Sequence, residues 1–202
     1  MTKEKKSLWQ KLGDITHIHH RAAFTDVEKH ATLQSNFLTL AKERYSCRKY
    51  SAVCLTEKEI DNILQAAAAA PSAMNKQPVH VWAVTSDEGL EKLKKTTEYT
   101  YGAPAVFLVG CKEEEAWVRK YDGKNGAEVD AAIVGTHIML EAASIGLGSV
   151  WVGSFDPAKV KELFPQTAEW TPVAMFPVGH PADIPSPRHT ERKSLEDFTT
   201  RL

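Results

Sequence analysis

The spacing of apolar positions changes several times along the chain, and each change predicts an element. Val27, Ala31, Leu33, Phe37, Leu40 and Ala41 fall roughly on one face at helical spacing, predicting a helix from about Asp26 to Glu43. Thr56 with Glu59 three residues on is a capping-box signature. Ile60, Ile63, Leu64 and the alanines 66–70 continue that helix until Pro71 stops it. The alanine run has two readings: close approach of a backbone or a flat ligand, or simply high helix propensity in a crowded core. Residues 79–84 read as a strand and Ala105–Val109 as a second, continuous and buried one, with a short helix from Asp87 to Thr97 between them.

Glu113 to Gly126 is charged and glycine-bearing, a loop that includes Trp117, Tyr121 and an Asp122-Gly123 turn. The helix expected from Ala127 to Ile145 is apolar nearly all round, so it must be buried on most faces, either centrally or at a subunit interface. Gly146 and Gly148 end it, 149–152 reads as a strand, and Asp156-Pro157 opens a short helix ending near Phe164. A further strand is expected at 172–178, where flanking prolines favour an edge or a bulged position. From Gly179 to Leu202 the pattern has little periodicity. Such a stretch either is disordered or lies across another surface, such as a second subunit.

Composition narrows the function classes. The 202 residues fit one domain with a sizeable core, and 25 Lys plus Arg against 26 Asp plus Glu give no net field to attract nucleic acid or an acidic membrane. No apolar run reaches the roughly 20 residues of a bilayer span, and the N-terminus lacks the apolar stretch of a secretory signal. Cys47, Cys54 and Cys111, an odd count without motif spacing, fit a reducing cytoplasm. Cys54 and Cys111 read as core, and Cys47 as a small residue filling a turn rather than a redox thiol. The His17–His20 cluster has no Cys or carboxylate at ligand spacing and reads as a solvated polar arm.

Two polar clusters carry the candidate chemistry. Arg44, Ser46, Arg48 and Tyr50 put two fixed cations and hydroxyls within a few residues, suited to gripping a phosphate. Residues 71–78 are turn-rich, with backbone N–H groups and amide side chains suited to a ring edged with carbonyls and nitrogens. Ordinary turn chemistry would also explain Ser72 and Asn75. Gly146-x-Gly148 is no dinucleotide fingerprint, because it follows a helix and precedes a strand. No triad, phosphate loop of Walker type or metal constellation is present.

In order, Arg44-x-Ser46-x-Arg48-x-Tyr50, Pro71-Ser72-Ala73-x-Asn75-x-Gln77-Pro78, Gly102-Ala103-Pro104, Asp130, Gly146-Leu147-Gly148-Ser149-x-Trp151-x-Gly153, Pro177-Val178-Gly179-x-Pro181 and Arg192-Lys193-x-Leu195-Glu196 resemble the FMN-dependent nitroreductase family from about Phe37 onward. The resemblance implies an α+β fold, a mixed, mostly antiparallel sheet packed between helices in an intertwined homodimer. It divides the chain into an extension, 1–36, and an FMN-binding domain, 37–202. It implies that Arg44 and Ser46 hold the phosphate and ribityl chain, and that Arg48 stands near N1 and the C2 carbonyl of the flavin. Pro71, Ser72, Ala73, Asn75 and Gln77 would reach the cofactor from the partner subunit. Val150, Trp151, Val152 and Gly153 would run along the ring, with Trp151 either touching flavin or filling the core. Arg192 matches a second phosphate arginine, Arg188 is a weaker one, and Thr190 departs from a pattern in which a basic residue stands two before the arginine.

The activity so implied is transfer of electrons from NAD(P)H through flavin N5 to a small oxidised acceptor, a nitroaromatic or quinone, by a ping-pong mechanism. No side chain is assigned as acid or base, because the cofactor carries the chemistry. The alternatives are a specialised relative of dehalogenase or ene-reductase type, or a flavin-binding protein without turnover.

Overall fold

The computed structural model describes residues 33–202, with side chains from Phe37 onward. The histidine cluster and the start of the first expected helix lie outside the described residues. Helix α1, Leu33–Glu43, belongs to one unit, and residues Arg44–Leu202 form another.

Within the second unit, helix α2 (Glu57–Ala68) begins as its sequence dictates. Thr56 accepts the Glu59 N–H, and the Glu59 carboxylate accepts the Thr56 N–H at 2.7 Å, so two orphan donors are satisfied reciprocally. Thr56→Ala is expected to destabilise the domain by about 1 kcal/mol at neutral pH in chemical denaturation. The Glu59 carboxyl is held below its ordinary value, first by the Thr56 N–H and then by the Thr56 hydroxyl. A depressed folded pKa gives stability that is complete above the unfolded value of about 4.3 and is lost as pH falls through the folded value. The cost of Thr56→Ala therefore shrinks below about pH 4.

Four strands follow: β1 (Val79–Val84), β2 (Ala105–Cys111), β3 (Gly148–Ser149) and β4 (Thr171–Gly179), in spatial order β1-β2-β4-β3 with every ladder antiparallel. β2 is apolar throughout because both its faces are covered. Phe107 and Val109 join Ile60, Ile63, Ile138 and Phe176 beneath α2 and helix α4 (Ala127–Ser144). Val106 and Leu108 join Leu93, Val160, Phe164 and Met175 beneath helices α3 (Asp87–Lys94) and α5 (Pro157–Leu163). This is the α+β arrangement of a sheet between helices.

Several expectations are narrowed or corrected. Of the two positions its prolines favour, β4 takes the bulged one and not the edge: it pairs with β2 on one side and β3 on the other. Pro172 is accommodated by a bulge, with Val109 opposite Ala174 and Gly110 opposite Pro172, while Pro177 stays in regular register opposite Val106. The third strand is only Gly148–Ser149, and pairing resumes as a single bridge between Val152 and Met175. Helix α3 stops at Lys94, where the Thr96 hydroxyl donates to the Leu93 carbonyl at 2.8 Å and competes with helix continuation. Cys54 is exposed rather than core, whereas Cys47 and Cys111 are buried.

The charged loop before α4 is ordered by a bridge between Val118 and Asn125 and by an Arg119–Asp122 ion pair. α4 is buried along Ala131, Val134, Gly135, Ile138 and Ala142, while Ala132, Ile133, Met139 and Leu140 remain half-buried. Beyond β4 the tail is not featureless: a single turn at Pro187–His189 and a short helix α6 (Leu195–Phe198) interrupt it.

Candidate functional site

The segment after Arg44 is extended and lies beside β3 like a partial fifth strand. Ser46 bridges Ser149 in parallel, the Cys47 N–H donates to the Ser149 carbonyl at 3.0 Å, and Tyr50 bridges Pro181. Gly148 makes the approach feasible, because a Cβ there would stand 2.6 Å from the Cys47 sulfur. Cys47 is fully buried, and burial is the largest of the effects that push its thiol up. It is therefore a neutral packing residue.

The Tyr50 hydroxyl donates to the carbonyls of Cys47 and Pro177, at 2.8 and 3.0 Å, fixing the far end of the segment. At the near end, Arg48 turns one guanidinium N–H back onto the Ser46 carbonyl at 3.1 Å. The segment's outer face then opens on a cleft of ≈ 420 Å³ lined by Tyr45, Ser46, Arg48, Ser186, Arg188, His189 and Arg192. Three arginines and a histidine share it, and none of its lining residues is a carboxylate. Arg44 stands beside it: burial first, and then the positive charge of Arg192, lower its guanidinium below the ordinary value. None of these arginines is in an ion pair with a carboxylate among the described residues. Cations crowded together, with no carboxylate among the lining residues, are suited to hold an anion.

Sequence reasoning missed Tyr45, Ser186, His189 and Asp183. Asp183 accepts hydrogen bonds from the Arg48 N–H at 3.0 Å, from Tyr45 Oη at 3.0 Å and from Cys47 Sγ at 3.1 Å. Burial alone would raise its carboxyl, but these donors, led by the Arg48 N–H, outweigh it and hold the pKa below the ordinary carboxylate value. Burial, and then the bond to Asp183, push the Tyr45 hydroxyl well up, so it stays a neutral donor. Only proximity in space reveals this set, since 135 residues separate Asp183 from Arg48.

The second predicted cluster is elsewhere on the chain. Between Ser72 and Pro78, Met74, Asn75 and Gln77 all have positive φ, 53°, 55° and 50°. Left-handed conformations are uncommon for residues other than glycine, and three in one short stretch store strain of the kind found at ligand clamps. The turn is held by the Ser72 hydroxyl, which accepts the Gln77 N–H at 2.9 Å, and by Asp130, which accepts the Ala73 N–H at 3.0 Å. Asp130 is 2% exposed, and its other carboxylate oxygen has no partner among the described residues. Asn75 is exposed, with its amide side chain unpaired among the described residues, and Pro71 and Gln77 are exposed beside it. Ala73 lines a different cleft, of ≈ 220 Å³, with Trp117, Arg119, Lys124, Asn125, Gly126, Val129 and Asp130. Thus Ser46, Arg48, Arg188 and Arg192 share one cleft, and Ala73 of the 71–77 cluster lines another.

Val150 and Val152 are buried, and their N–H groups donate to the carbonyls of Pro177 and Met175 at 3.4 and 2.9 Å, while Gly153 is exposed. Trp151 is 37% exposed and meets the Phe176 ring edge-on at 4.9 Å, so one edge of the indole packs on the core and part remains at the surface. Ser149, paired with Ser46, keeps a buried hydroxyl without a partner among the described residues.

A sheet between helices, an arginine cleft beside a short third strand, and a strained turn tethered to the start of the long helix define a cofactor-site architecture of recognisable class. The profile described as the nitroreductase family matches residues 41–98 and 94–180. The chain belongs to the nitroreductase family. A protein of Methanothermobacter thermautotrophicus named as an NADH dehydrogenase/NAD(P)H nitroreductase is 32% identical, over 91% of this chain and 93% of that protein. The crystal structure of a nitroreductase family protein from Clostridium difficile matches with TM-score 0.74 and 34% identity, over 80% of this chain and 95% of the other. A nitroreductase from Desulfovibrio desulfuricans, solved in complex with FMN, matches with TM-score 0.68 and 25% identity, over 82% and 95%.

Proposed function

We propose that this chain is an FMN-dependent oxidoreductase that takes electrons from NAD(P)H and passes them to a small oxidised acceptor, a nitroaromatic or a quinone, as a cytoplasmic homodimer. The observation that carries the reading is the arginine cleft, where positive charges face one another without a carboxylate among the lining residues. A phosphate monoester supplies the missing charge, and guanidinium forks match its oxygens. The cleft volume is of the size that holds part of a cofactor, and the names of the relatives, with the FMN complex of one solved neighbour, support the choice of flavin.

In this reading Arg44, Arg188 and Arg192 hold the phosphate, Ser46 the ribityl chain, and Arg48 the pyrimidine edge. With Thr190 in place of a basic residue, the phosphate cations of this reading are Arg44 and the two tail arginines of the cleft, Arg188 and Arg192. Val150 to Gly153 run along the ring, with Trp151 at its margin. The turn carrying Pro71, Ser72, Ala73, Asn75 and Gln77 comes from the second subunit, a reading supported by Ala73 lining a different cleft from the arginines in this chain. The half-buried apolar residues of α4 supply a face for that dimer. The FMN-binding domain covers 37–202, with 1–36 as an extension. Held by these residues, FMN would supply the redox chemistry between NAD(P)H and the acceptor. The chain's own part is orientation and fixed charge: arginine stays protonated at any working pH, and Asp130 and Ser72 keep the strained turn in one shape.

The test is the absorbance spectrum and solution mass of the purified protein, followed by steady-state oxidation of NADH and NADPH with menadione or nitrofurazone. A yellow dimer with parallel double-reciprocal lines is expected. A colourless protein that takes up no FMN on reconstitution refutes the reading, and a yellow protein without acceptor-dependent oxidation leaves only a flavin binder.

A further inference from the structure

The arginine cleft is assembled from two distant pieces of chain, and its strength as an anion site depends on how they are held together. One wall is the extended segment with Tyr45, Ser46 and Arg48; the other is the tail with Ser186, Arg188, His189 and Arg192. The three guanidiniums of the cleft repel one another, so the two walls have an electrostatic reason to part. Asp183 spans the two walls. It accepts the Arg48 N–H and the Cys47 thiol through its carboxylate, and Tyr45 Oη donates both to that carboxylate and, at 2.9 Å, to the Asp183 carbonyl. The Ala182 N–H donates to the Lys49 carbonyl at 2.8 Å and continues the seam.

The sign of the charge is informative. A carboxylate beside an anion site disfavours the anion by simple Coulomb repulsion, so attraction for a phosphate does not explain its placement. Among the described residues it pairs with no guanidinium; it takes its donors from a main-chain N–H, a phenol and a thiol. We propose that Asp183 is a positioning residue that clasps the tail to the Arg44–Tyr50 segment and so sets the spacing of the phosphate-binding arginines, an inference that rests on the FMN reading above.

Asp183→Asn tests it. The amide has one oxygen where the carboxylate had two, so in either orientation an NH2 group faces donors that the carboxylate accepted: the Arg48 N–H one way, Tyr45 and Cys47 the other. Fluorescence titration with FMN and with riboflavin separates phosphate binding from ring binding. FMN affinity is expected to fall about tenfold while riboflavin affinity stays within about twofold. Loss of negative charge alone would move FMN affinity the other way. An unchanged or higher FMN affinity overturns the proposal, as does a parallel loss for both flavins, which would mark a merely structural residue. Tyr45→Phe keeps the charge and removes one tether; it is expected to give a smaller loss of the same kind, about threefold for FMN alone. Should Asp183→Asn fail to fold, an unaltered FMN-to-riboflavin ratio in Tyr45→Phe overturns the proposal by itself. A wild-type protein that binds neither flavin removes both this inference and the cofactor reading, whereas a wild type that binds FMN confines any failure to Asp183.

Discussion

Replacing Arg44 and Arg192 together by alanine is expected to lower FMN affinity by about a hundredfold or more, while the cofactor-free protein melts no lower than wild type. A charge-assisted hydrogen bond to phosphate contributes about 1.5–3 kcal/mol, and two of them lost amount to at least about 3 kcal/mol. The apoprotein behaves differently because of the repulsion that lowers the Arg44 guanidinium: burial is the larger cause and Arg192 the second. Removing either charge relieves a cost that only a bound anion offsets. Fluorescence titration measures the first effect and thermal denaturation of the apoprotein the second. Added salt should weaken FMN binding by the wild type more than by the double variant, since screening acts on the charges that the variant lacks. An apoprotein strongly destabilised by the double substitution would show that the arginines pack rather than bind.

How much of this was legible beforehand depends on the length scale of the cause. The capping box at Thr56 and Glu59, the Asp156-Pro157 helix start and the continuous apolar run of β2 are set by neighbours a few residues apart, and the structure has them where the pattern places them. The position of β4 was legible only as a choice between an edge and a bulge. Pro172 interrupts the regular ladder, a bulge opposite Val109 and Gly110 lets the strand remain inside the sheet, and its register depends on β2, some sixty residues away. Within the arginine cleft the residue types of the Arg44–Arg48 cluster carry their own chemistry, so a phosphate reading is available from sequence. Asp183 is different: one acid in a proline-rich tail has no meaning until Tyr45, Cys47 and Arg48 converge on it. The strain at Met74 is likewise invisible, because methionine gives no signal of a left-handed backbone.

Gly135 is the sharpest case of conflict between local and distant causes, and Gly135→Ala is expected to destabilise the protein by about 2 kcal/mol or more in urea denaturation. Helix propensity alone predicts the reverse, a gain of up to about 1 kcal/mol for glycine to alanine in a helix interior. The structure decides against it. A Cβ at Gly135 would meet the tip of the Phe176 ring and come within 2.9 Å of the Trp151 indole. Phe176 is fully buried between the sheet and α4 and has no space to retreat into, so overpacking of about 1–3 kcal/mol or more outweighs the propensity gain. The cycle with Phe176→Leu identifies the cause: removing the ring tip should make the double variant less unstable than the sum of the singles by about 1 kcal/mol. A Gly135→Ala protein as stable as wild type would show that Phe176 moves freely. The same crowding reaches the proposed cofactor margin, because Trp151 leans on Phe176 with its outer part exposed. An alanine that pushes the indole outward should therefore change the tryptophan near-ultraviolet signal and the FMN affinity together. Gly135 thus joins core packing to site geometry, and the close approach of helix, sheet and indole explains why a residue poor for helix formation occupies the middle of the longest helix among the described residues.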